Sequence, residues 1–362
     1  MITLLRLCQV SGESGSHGRL NMRVLVTGGT GFTGSHLTRR LLQRGHEVVV
    51  LDNQPGLFCD ELRELGAQVH IGSVTDADLV DRCTRGCEVI HHVAAMFRKV
   101  NQPKQAYWNV NVEGTRILME AALRHGVRKV VNCSTQGVHG HVERTPGDEN
   151  IPIAPADWYQ ATKYEGEKVA NAYAAKGIRV LTLRPTAIYG PGDPGRFLIL
   201  FRMVNKGRFW MCGSGNAHYH PVYIGNLVDA FELAAESPRG DGESYIIGDE
   251  HYYTLTELVT AIGAVLGVDL KIRRLPFWPL WTAALACELV YKPLPMDPPL
   301  FRRRVDWFRQ NRAFSIERAR SELGYEPAVD LKEGLTRTAA WYRENGYLPA
   351  TRSAGGTLAG VN

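Results

Sequence analysis

The strongest constraint on the fold is a glycine-rich turn between an apolar run and a helix-like run near the N-terminus. Residues 27–34 read TGGTGFTG; they end the strand-like run Arg23–Thr27 and precede the helix-like residues 36–42. Such a turn lets a pyrophosphate approach the backbone and lie at the helix N-terminus, where amide hydrogens and the helix dipole favour negative charge. The pattern therefore predicts a dinucleotide-binding βαβ unit.

A second motif pairs Tyr159 with Lys163, which lie on one face if the stretch is helical. A nearby ammonium favours the phenolate, so such a tyrosine can exchange a proton with an alcohol near neutral pH. Asp52 ends the second strand-like run, at the spacing where an acid bonds a ribose 2′-hydroxyl. Its charge would repel a 2′-phosphate, which favours NAD over NADP. The alternative is that Asp52 is only a turn residue.

Composition narrows the class of protein. The 362 residues carry a net charge of +5 from 42 basic and 37 acidic side chains, which gives no reason to expect a nucleic-acid partner. The seven cysteines are scattered without a disulfide pattern, which favours a reducing, cytoplasmic setting. Cys83 and Cys87 have no second pair at zinc-like spacing, so no metal site is predicted.

Together the motifs resemble the extended short-chain dehydrogenases/reductases, the superfamily of nucleotide-sugar epimerases and 3β-hydroxysteroid dehydrogenases. Further matches lie at residues 89–95 (VIHHVAA), 111–115 (NVEGT), 130–140 (VVNCSTQGVHG) and 183–192 (LRPTAIYGPG). The resemblance covers nearly the whole chain and is strongest to the 3β-hydroxysteroid and sterol-4-carboxylate dehydrogenase branch. It implies NAD as the cofactor and a homodimer formed through a helix pair that includes the Tyr-Lys helix.

The resemblance also implies site residues. Tyr159 would take the hydroxyl proton, Lys163 would lower its pKa and bond the nicotinamide ribose, and Thr135 would orient the substrate oxygen. The family's usual acid before the adenine-contacting residue is replaced by Ser73. The implied cofactor contacts are Gly28, Thr30, Gly31, Phe32, Thr33, Gly34, Asp52, Asn53, Ser73, Val74, Val93, Ala94, Ala95, Asn111, Tyr159, Lys163 and Pro185. The predicted substrate contacts are Ser134, Gln136, Tyr219 and His220.

Alternating strand-like and helix-like runs up to about residue 190 predict an α/β, Rossmann-type doubly wound parallel sheet. A smaller interleaved α/β substrate-binding domain is expected to follow. The expected organisation is a disordered or misassigned extension at 1–21, an NAD-binding domain at 22–190 to which 217–236 returns, a substrate-binding domain at 191–347 and a disordered tail at 348–362.

Two features bear on the substrate. Tyr219 stands where many nucleotide-sugar enzymes resembling this chain carry an arginine for the diphosphate, and His220 where they carry an aspartate. Losing a bidentate cation weakens phosphate recognition. Residues 276–291 are strongly apolar, with two tryptophans near their start. They could line an apolar pocket, lie in a membrane interface together with the basic residues 302–304, or form a buried helix.

The leading hypothesis is NAD-dependent oxidation of a secondary ring alcohol to a ketone, with a 3β-hydroxysterol-like substrate. A carboxylate β to the new ketone would permit decarboxylation as well. The rival is an NDP-sugar 4-epimerase or dehydratase that retains its NAD. A third hypothesis is a non-catalytic dinucleotide-sensing or assembly protein. In each hypothesis the binding partner is a small molecule. The expected location is the cytoplasm, with peripheral membrane contact through residues 277–304 as an alternative.

Overall fold

The computed structural model describes residues 21–97, 103–292, 296, 298–300 and 302–350, without the side chains of residues 241, 303 and 304. Nearly all of the predicted N-terminal extension and most of the C-terminal tail therefore lie outside the described residues. The same holds for the side chains of Arg303 and Arg304.

The strands form one large sheet and three small two-stranded sheets. They are β1 (Arg23–Thr27), β2 (Glu47–Asp52), β3 (Gln68–Ile71), β4 (Val89–His92), β5 (Lys129–Cys133), β6 (Arg179–Pro185), β7 (Ala187–Tyr189), β8 (Arg208–Cys212), β9 (His218–Tyr219), β10 (Pro221–Tyr223), β11 (Asp241–Ile247), β12 (Tyr253–Thr254) and β13 (Lys271–Leu275).

Helices connect most of these strands. They are α1 (Phe32–Gln43), α2 (Cys59–Glu64), α3 (Ala77–Thr84), α4 (Lys104–Trp108), α5 (Gly114–Arg124), α6 (Trp158–Ala172), α7 (Arg196–Val204), α8 (Ile224–Glu236), α9 (Leu255–Leu266), α10 (Phe277–Tyr291), α11 (Arg302–Asp306), α12 (Glu317–Leu323) and α13 (Leu331–Glu344). A π-helical turn spans Asn109–Glu113, and 3₁₀ turns span Gln136–His139 and Ala174–Lys176.

The large sheet has seven parallel strands in the order β11–β6–β5–β4–β1–β2–β3. The chain winds outward from β1 in one direction through β2 and β3, and in the other through β4. The loops after β1 and β4 thus separate at the carboxyl edge and form the crevice in which doubly wound sheets bind ligands. This confirms the predicted Rossmann-type fold.

The central strands are buried on both faces of the sheet, which explains their continuous apolar sequences. Residues 48–51 of β2 are fully buried, as are Val130 and Val131 of β5. A parallel sheet covered by helices on both faces selects such continuous apolar runs.

Local signals also place α9. Its N-cap Thr254 accepts a hydrogen bond from the Glu257 amide, and the Glu257 carboxylate accepts one from the Thr254 amide. This capping box satisfies amides that the helix cannot pair internally, and Gly267 ends the helix at a positive φ of 70°. Residues within this segment thus set both ends of the helix.

One boundary expected from the sequence differs from the structure. The segment expected to return to the NAD-binding domain was residues 217–236, but β11 also belongs to the large sheet, where it pairs in parallel with β6 as far as Ile247. An edge strand that begins with Asp241 and contains Glu243 lacks the continuous apolar run that marked the central strands.

Helix α10 differs from the other long helices. Trp278, Leu289 and Val290 are each more than 60% exposed, and Ala284 is the one residue of α10 that is buried. The alternative that this apolar stretch is a buried helix is therefore wrong. In the part of the chain that the structure describes, no helix is both long enough and apolar enough to span a membrane.

Candidate active site

The glycine loop packs directly on its neighbours. Gly28 has a φ of +70°, and a Cβ there would lie 2.7 Å from the Ala94 amide nitrogen. A Cβ on Gly34 would lie 2.0 Å from the Gly28 carbonyl oxygen. Both positions therefore require glycine, the first for its conformation as well as for space. The loop after β1 closes against the end of β4 and the first turn of α1 with no side chain between them.

The start of α1 suits an anion. Gly31 is its N-cap, in extended conformation, and the first turn contains no acidic residue. Among the described residues, no side chain caps this helix end. Its first amides remain for a ligand, with the helix dipole behind them. Phe32 and Thr33, predicted to contact the cofactor, are partly exposed here, whereas Gly34 and Thr30 are buried.

Asp52 has a role that the motif alone did not reveal. Its Oδ2 accepts a hydrogen bond from the Thr30 amide at 3.0 Å, and the Thr30 hydroxyl donates to the Gln54 carbonyl at 2.9 Å. The carboxylate therefore anchors the glycine loop to the end of β2 with one oxygen. The other oxygen is not used in this bond and remains for the predicted ribose contact, beside exposed Asn53.

A buried chain of hydrogen bonds runs behind the crevice. The Thr115 hydroxyl donates to the Asn111 carbonyl, so Thr115 Oγ1 accepts from His92 Nε2 at 2.9 Å. The neutral ring then accepts at Nδ1 from the Thr27 hydroxyl at 2.7 Å, and Thr27 Oγ1 accepts from the Ala94 amide. Burial lowers the pKa of His92 to about 3, so the ring is neutral. We call this the Thr27–His92–Thr115 chain.

Asn111 links that chain to α6, the helix that carries Tyr159 and Lys163. Its Oδ1 accepts from the Met96 amide at 2.8 Å, and its Nδ2 donates to the Thr162 hydroxyl at 2.9 Å. A Cβ on Gly166 would lie 2.3 Å from the Asn111 carbonyl oxygen, so α6 approaches the π-helical turn closely. Asn111 therefore orients the loop that carries partly exposed Val93–Ala95.

Thr135 and Tyr159 are brought together. Thr135 lies two residues beyond the end of β5, and its hydroxyl hydrogen-bonds to the Tyr159 phenol. The same Thr135 oxygen accepts from the Gly137 amide at 3.0 Å. Tyr159 lies in the first turn of α6, whose N-cap Asp157 accepts from the Gln160 amide at 2.8 Å. A capped helix and a short 3₁₀ turn thus fix the two hydroxyl groups relative to each other.

Electrostatics at Tyr159 differ from the expectation. Burial raises its pKa above the ordinary value, Cys133 and Asp157 raise it further, and the Thr135 hydrogen bond lowers it. The net shift is therefore opposite to the lowering expected from Lys163, because burial of the phenol outweighs the groups around it.

Lys163 lies one turn further along α6 and is 3% exposed. Burial lowers its pKa, and Cys133 and Glu167 oppose that shift. Within the described residues its ammonium makes no hydrogen bond. A buried ammonium of this kind fits the predicted bonds to ribose hydroxyls, and with the open α1 N-terminus it makes the crevice suitable for NAD.

Three further predicted cofactor contacts occupy ordinary structural positions. The Ser73 hydroxyl bonds Thr75 within a turn, at 2.7 Å from its Oγ1. Val74 is 5% exposed and packs beside Gly114 at the start of α5. Pro185 is buried at the end of β6.

The predicted substrate residues fall into two groups. Ser134 and Gln136 flank Thr135, and both have a buried side-chain oxygen without a partner in the described residues. Tyr219 is buried, with its ring 5.5 Å from that of Trp307. His220 is also buried: its Nε2 donates to the Asp249 carbonyl at 2.8 Å and its Nδ1 accepts from the Phe314 amide at 3.4 Å. The position of His220 therefore gives no support to substrate contact.

A cavity of about 460 Å³ lies between the loop after β8 and the start of α10. It is lined by Cys212, Gly213, Ser214, Asn216, Ala217, Phe277, Trp278, Phe308, Arg309 and Asn311. The Asn311 amide donates to His141, and the Asn311 carbonyl accepts from the Val142 amide, each at 3.0 Å. The cavity wall is thereby joined to the segment that follows the Thr135 turn. Of this wall, only Phe277 and Trp278 had a sequence signal, as part of the apolar stretch.

Cys83 and Cys87 lie in a buried setting. The Cys87 thiol donates to the Cys83 carbonyl at 3.3 Å, and burial raises the pKa of both thiols to about 11. Across the described ranges, no group of three or more His, Cys, Asp or Glu side chains is arranged to hold a metal ion.

Comparison with known proteins agrees with this geometry. The model of the NAD dependent epimerase/dehydratase family matches residues 24–248. A 3-beta-hydroxysteroid dehydrogenase from Mycolicibacterium neoaurum is 30% identical over 338 residues, which cover 89% of this chain and 92% of the relative. A UDP-glucose 4-epimerase from Mycolicibacterium smegmatis is 33% identical over 339 residues, covering 89% of this chain and 99% of the relative.

Among solved structures, a dTDP-glucose 4,6-dehydratase from Streptomyces venezuelae with NAD bound has a TM-score of 0.72 and 29% identity. The match covers 91% of this chain and 99% of that chain. Family model, relatives and structure point to the same cofactor and the same type of fold. The chain therefore belongs to the NAD dependent epimerase/dehydratase family and is an NAD-dependent enzyme of the extended short-chain dehydrogenase type.

Proposed function

We propose that the protein oxidises a secondary ring alcohol to a ketone, with a 3β-hydroxysterol-like substrate. Bound NAD would supply the hydride acceptor. Tyr159, whose phenolate the positive charge of bound NAD⁺ would favour against the effect of burial, takes the hydroxyl proton, while Thr135 bonds the same substrate oxygen and keeps it in line with Tyr159. Lys163 holds the ribose of the cofactor. Where the substrate carries a carboxylate β to the new ketone, loss of carbon dioxide needs no further catalytic group.

The aromatic part of the cavity wall is the observation that carries this choice of substrate, and polar Ser214, Asn216 and Asn311 form another part of the wall. Phe277, Trp278 and Phe308 supply aromatic surface. The guanidinium of Arg309 lies 5.0 Å from the Phe277 ring centroid and is paired with Asp306 at 2.9 Å. A pocket for a diphosphate would present an uncompensated bidentate cation. Tyr219, buried among aromatic rings where related sugar-nucleotide enzymes carry arginine, supports the same choice.

The second candidate is an NDP-sugar 4-epimerase or dehydratase with retained NAD. The M. smegmatis relative and the S. venezuelae structure favour it, because the names of both proteins refer to sugar nucleotides. Each match to this chain covers nearly the full length of the other protein. The same Tyr159 and Thr135 would serve either reaction, so the catalytic crevice does not separate the two candidates.

Substrate panels do separate them. Purified protein with NAD is offered 3β-hydroxysterols and, separately, UDP-, GDP- and dTDP-sugars, and NADH is followed by absorbance. Net NADH with a sterol is the expected result. An altered sugar on chromatography without net NADH would overturn the sterol proposal and favour the epimerase.

Peripheral membrane contact through residues 277–304 forms part of the proposal. Exposed Trp278, Leu289 and Val290 lie on α10, and the exposed cations Lys271 and Arg274 belong to the strand just before it. An apolar helix flanked by cations binds an interface that contains anionic lipid. The test is co-sedimentation with phosphatidylcholine vesicles with and without phosphatidylserine. Leu289→Glu should reduce binding, and Ile199→Glu, an exposed position on α7, serves as the matched control.

A homodimer through α5 and α6 is also proposed. The two helices pack against each other on one face of the large sheet, and Leu123 at the end of α5 is 41% exposed. Light scattering after size exclusion should give twice the monomer mass. A Leu123→Glu variant that remained dimeric would contradict this interface.

A further inference from the structure

A buried ionic network lies behind the catalytic residues. Arg184 of β6 donates to Glu167 of α6 through Nη2 at 2.7 Å and through Nε at 3.1 and 3.2 Å. On its other side, Arg184 Nη1 lies 3.1 Å from His139 Nε2. Glu167 and His139 are each 1% exposed and Arg184 is 6% exposed. We call this set the Glu167–Arg184–His139 network.

The direction of every bond in the network can be assigned. A guanidinium only donates, so His139 Nε2 accepts from it, and the ring proton is on Nδ1. Nδ1 then donates to the Ile151 carbonyl at 3.1 Å. Burial and the charge of Arg184 lower the pKa of His139, in agreement with a neutral ring. Arg184 therefore bonds the catalytic helix on one side and the 3₁₀ turn on the other.

Both ends of the network are next to catalytic groups. Glu167 lies one helical turn beyond Lys163, which is itself one turn beyond Tyr159. His139 ends the 3₁₀ turn that begins at Gln136, directly after Thr135. The amide of Gly137 within this turn donates to Thr135 Oγ1, so a shift of the turn moves the Thr135 hydroxyl.

We propose that the Glu167–Arg184–His139 network is a positioning device that holds the Thr135 hydroxyl against Tyr159 and fixes the Glu167 carboxylate one helical turn from Lys163. We base this on the roles proposed above for Thr135, Tyr159 and Lys163, and it applies to either candidate substrate. A planar guanidinium that bonds both elements fixes their separation, which a flexible ammonium would not do. Misplacing reacting groups by about 1 Å can reduce turnover by about 100-fold.

The charge of Glu167 gives the network its second effect. Glu167 on the same helix and Cys133 on β5 act on the charge of Lys163, and Lys163 in turn acts on His92 of β4. Burial keeps His92 neutral and raises the pKa of the Cys133 thiol to about 11. Glu167, the carboxylate paired with Arg184, is therefore the negative charge in this set, and it favours the charged form of Lys163.

The first experiment measures NAD⁺ affinity by tryptophan fluorescence from pH 6 to pH 10.5. Glu167→Gln keeps an oxygen that accepts from Arg184 but removes the charge. We expect affinity in this variant to fall at a pH lower by about 0.5 units or more. Glu165→Gln, which removes an exposed carboxylate paired with Lys168 on the same helix, should match the wild type. Superimposable profiles for Glu167→Gln and wild type would overturn the proposal.

The second experiment tests positioning at His139. His139→Phe removes the acceptor for Arg184 while retaining a ring beside Phe314, 5.8 Å away in the native protein. His139→Gln retains a side-chain acceptor and donor. We expect His139→Phe to speed amide hydrogen exchange in residues 136–154 and to lower kcat by about tenfold or more, and His139→Gln to restore both in large part. Equal behaviour of the two variants would contradict the proposal.

The two experiments keep this proposal separate from the proposed function. NAD⁺ affinity and hydrogen exchange need no substrate, so they read out the network even if the substrate panels give no turnover. Arg184→Ala is avoided because it would leave the Glu167 carboxylate buried without its partner, which commonly unfolds a protein.

Discussion

The cofactor side of the large sheet and helix α10 differ in where their side chains find partners. In the Thr27–His92–Thr115 chain each hydroxyl both donates and accepts, and the histidine ring uses both nitrogens. Helix α10 instead exposes Trp278 and Leu289 to 62% each and buries one alanine.

This difference separates two kinds of stabilisation. Buried polar groups are destabilising unless they are paired, so the Thr27–His92–Thr115 chain is stable only as a complete set of bonds. The exposed apolar surface of α10 contributes little to folding, and its removal from water requires a ligand, a lipid surface or another chain. Substitutions on the two sides should therefore have opposite patterns of effect on stability and on binding.

The largest expected effect is on turnover. Tyr159→Phe removes the proton acceptor while retaining the ring, and general-base catalysis contributes about 10²–10⁴-fold to rate. We expect kcat to fall by that factor and NAD⁺ affinity, measured by calorimetry, to stay unchanged. Tyr164→Phe, on the same helix, is the matched control. Full turnover in Tyr159→Phe would show that another group takes the proton.

The comparison predicts a large loss of stability for one apolar side chain and almost none for another. Leu258 on α9 is fully buried and Trp278 on α10 is 62% exposed. Leu258→Ala should lower the free energy of unfolding by about 2–5 kcal/mol, because it leaves a cavity. Trp278→Ala should change it by about 0.5 kcal/mol or less. Urea unfolding measures both. A large loss in Trp278→Ala would mean that α10 packs as part of the core.

The buried Asp249 carboxyl is less completely hydrogen-bonded than the Thr27–His92–Thr115 chain. Asp249 Oδ1 accepts from the Tyr223 amide at 2.8 Å and from Asn226 Nδ2 at 2.7 Å, whereas within the described residues its buried Oδ2 has no closer partner than the neighbouring Tyr189 phenol. Burial raises its pKa from 3.8 to about 7. The unfolded chain releases this proton near pH 4 and the folded chain near pH 7, so stability falls as pH rises through that window.

Urea unfolding at pH 5 and pH 8 tests the charge on Asp249. The wild type should lose about 3 kcal/mol between these values from this group, at about 1.4 kcal/mol per pKa unit. Asp249→Asn removes the titration, so its loss should be smaller by that amount. Equal losses in the two proteins would show that Asp249 ionises normally.

The smallest expected effect concerns the glycine loop. A Cβ on Gly34 would lie 2.0 Å from a backbone oxygen, whereas one on Gly31 would lie 3.3 Å from the same oxygen. Gly34→Ala should reduce the free energy of unfolding by about 1–3 kcal/mol and weaken NAD⁺ binding, because the loop must move. Gly31→Ala should unfold close to the wild type. Similar losses in both variants would contradict the tight packing.

Sequence reasoning succeeded where the signal is local. The apolar run of β2 and the Thr254 cap of α9 lie within the segments that they define, so neighbouring residues suffice to predict them. The pairing of His220 with Asp249 and Phe314 joins residues 29 and 94 positions apart. Only the folded chain brings such groups together, which is why His220 looked like a substrate residue.

The same reason explains the networks. Arg184 bonds residues 17 and 45 positions away, in another helix and another turn. The motif identified Tyr159 and Lys163 but not what supports them. Burial, too, is a property of the whole fold, and it reversed the expected shift in the pKa of Tyr159.

The hydrogen bond between Asp52 and the Thr30 amide has a consequence for cofactor engineering. Replacing this aspartate by a cationic residue, the direct route toward NADP, would remove the acceptor that anchors the phosphate-binding loop along with the negative charge. Preference between the two dinucleotides is therefore coupled to loop order. Asp52→Asn removes the negative charge but keeps an oxygen that can accept from the Thr30 amide, so this variant separates the effect on cofactor preference from the effect on loop order.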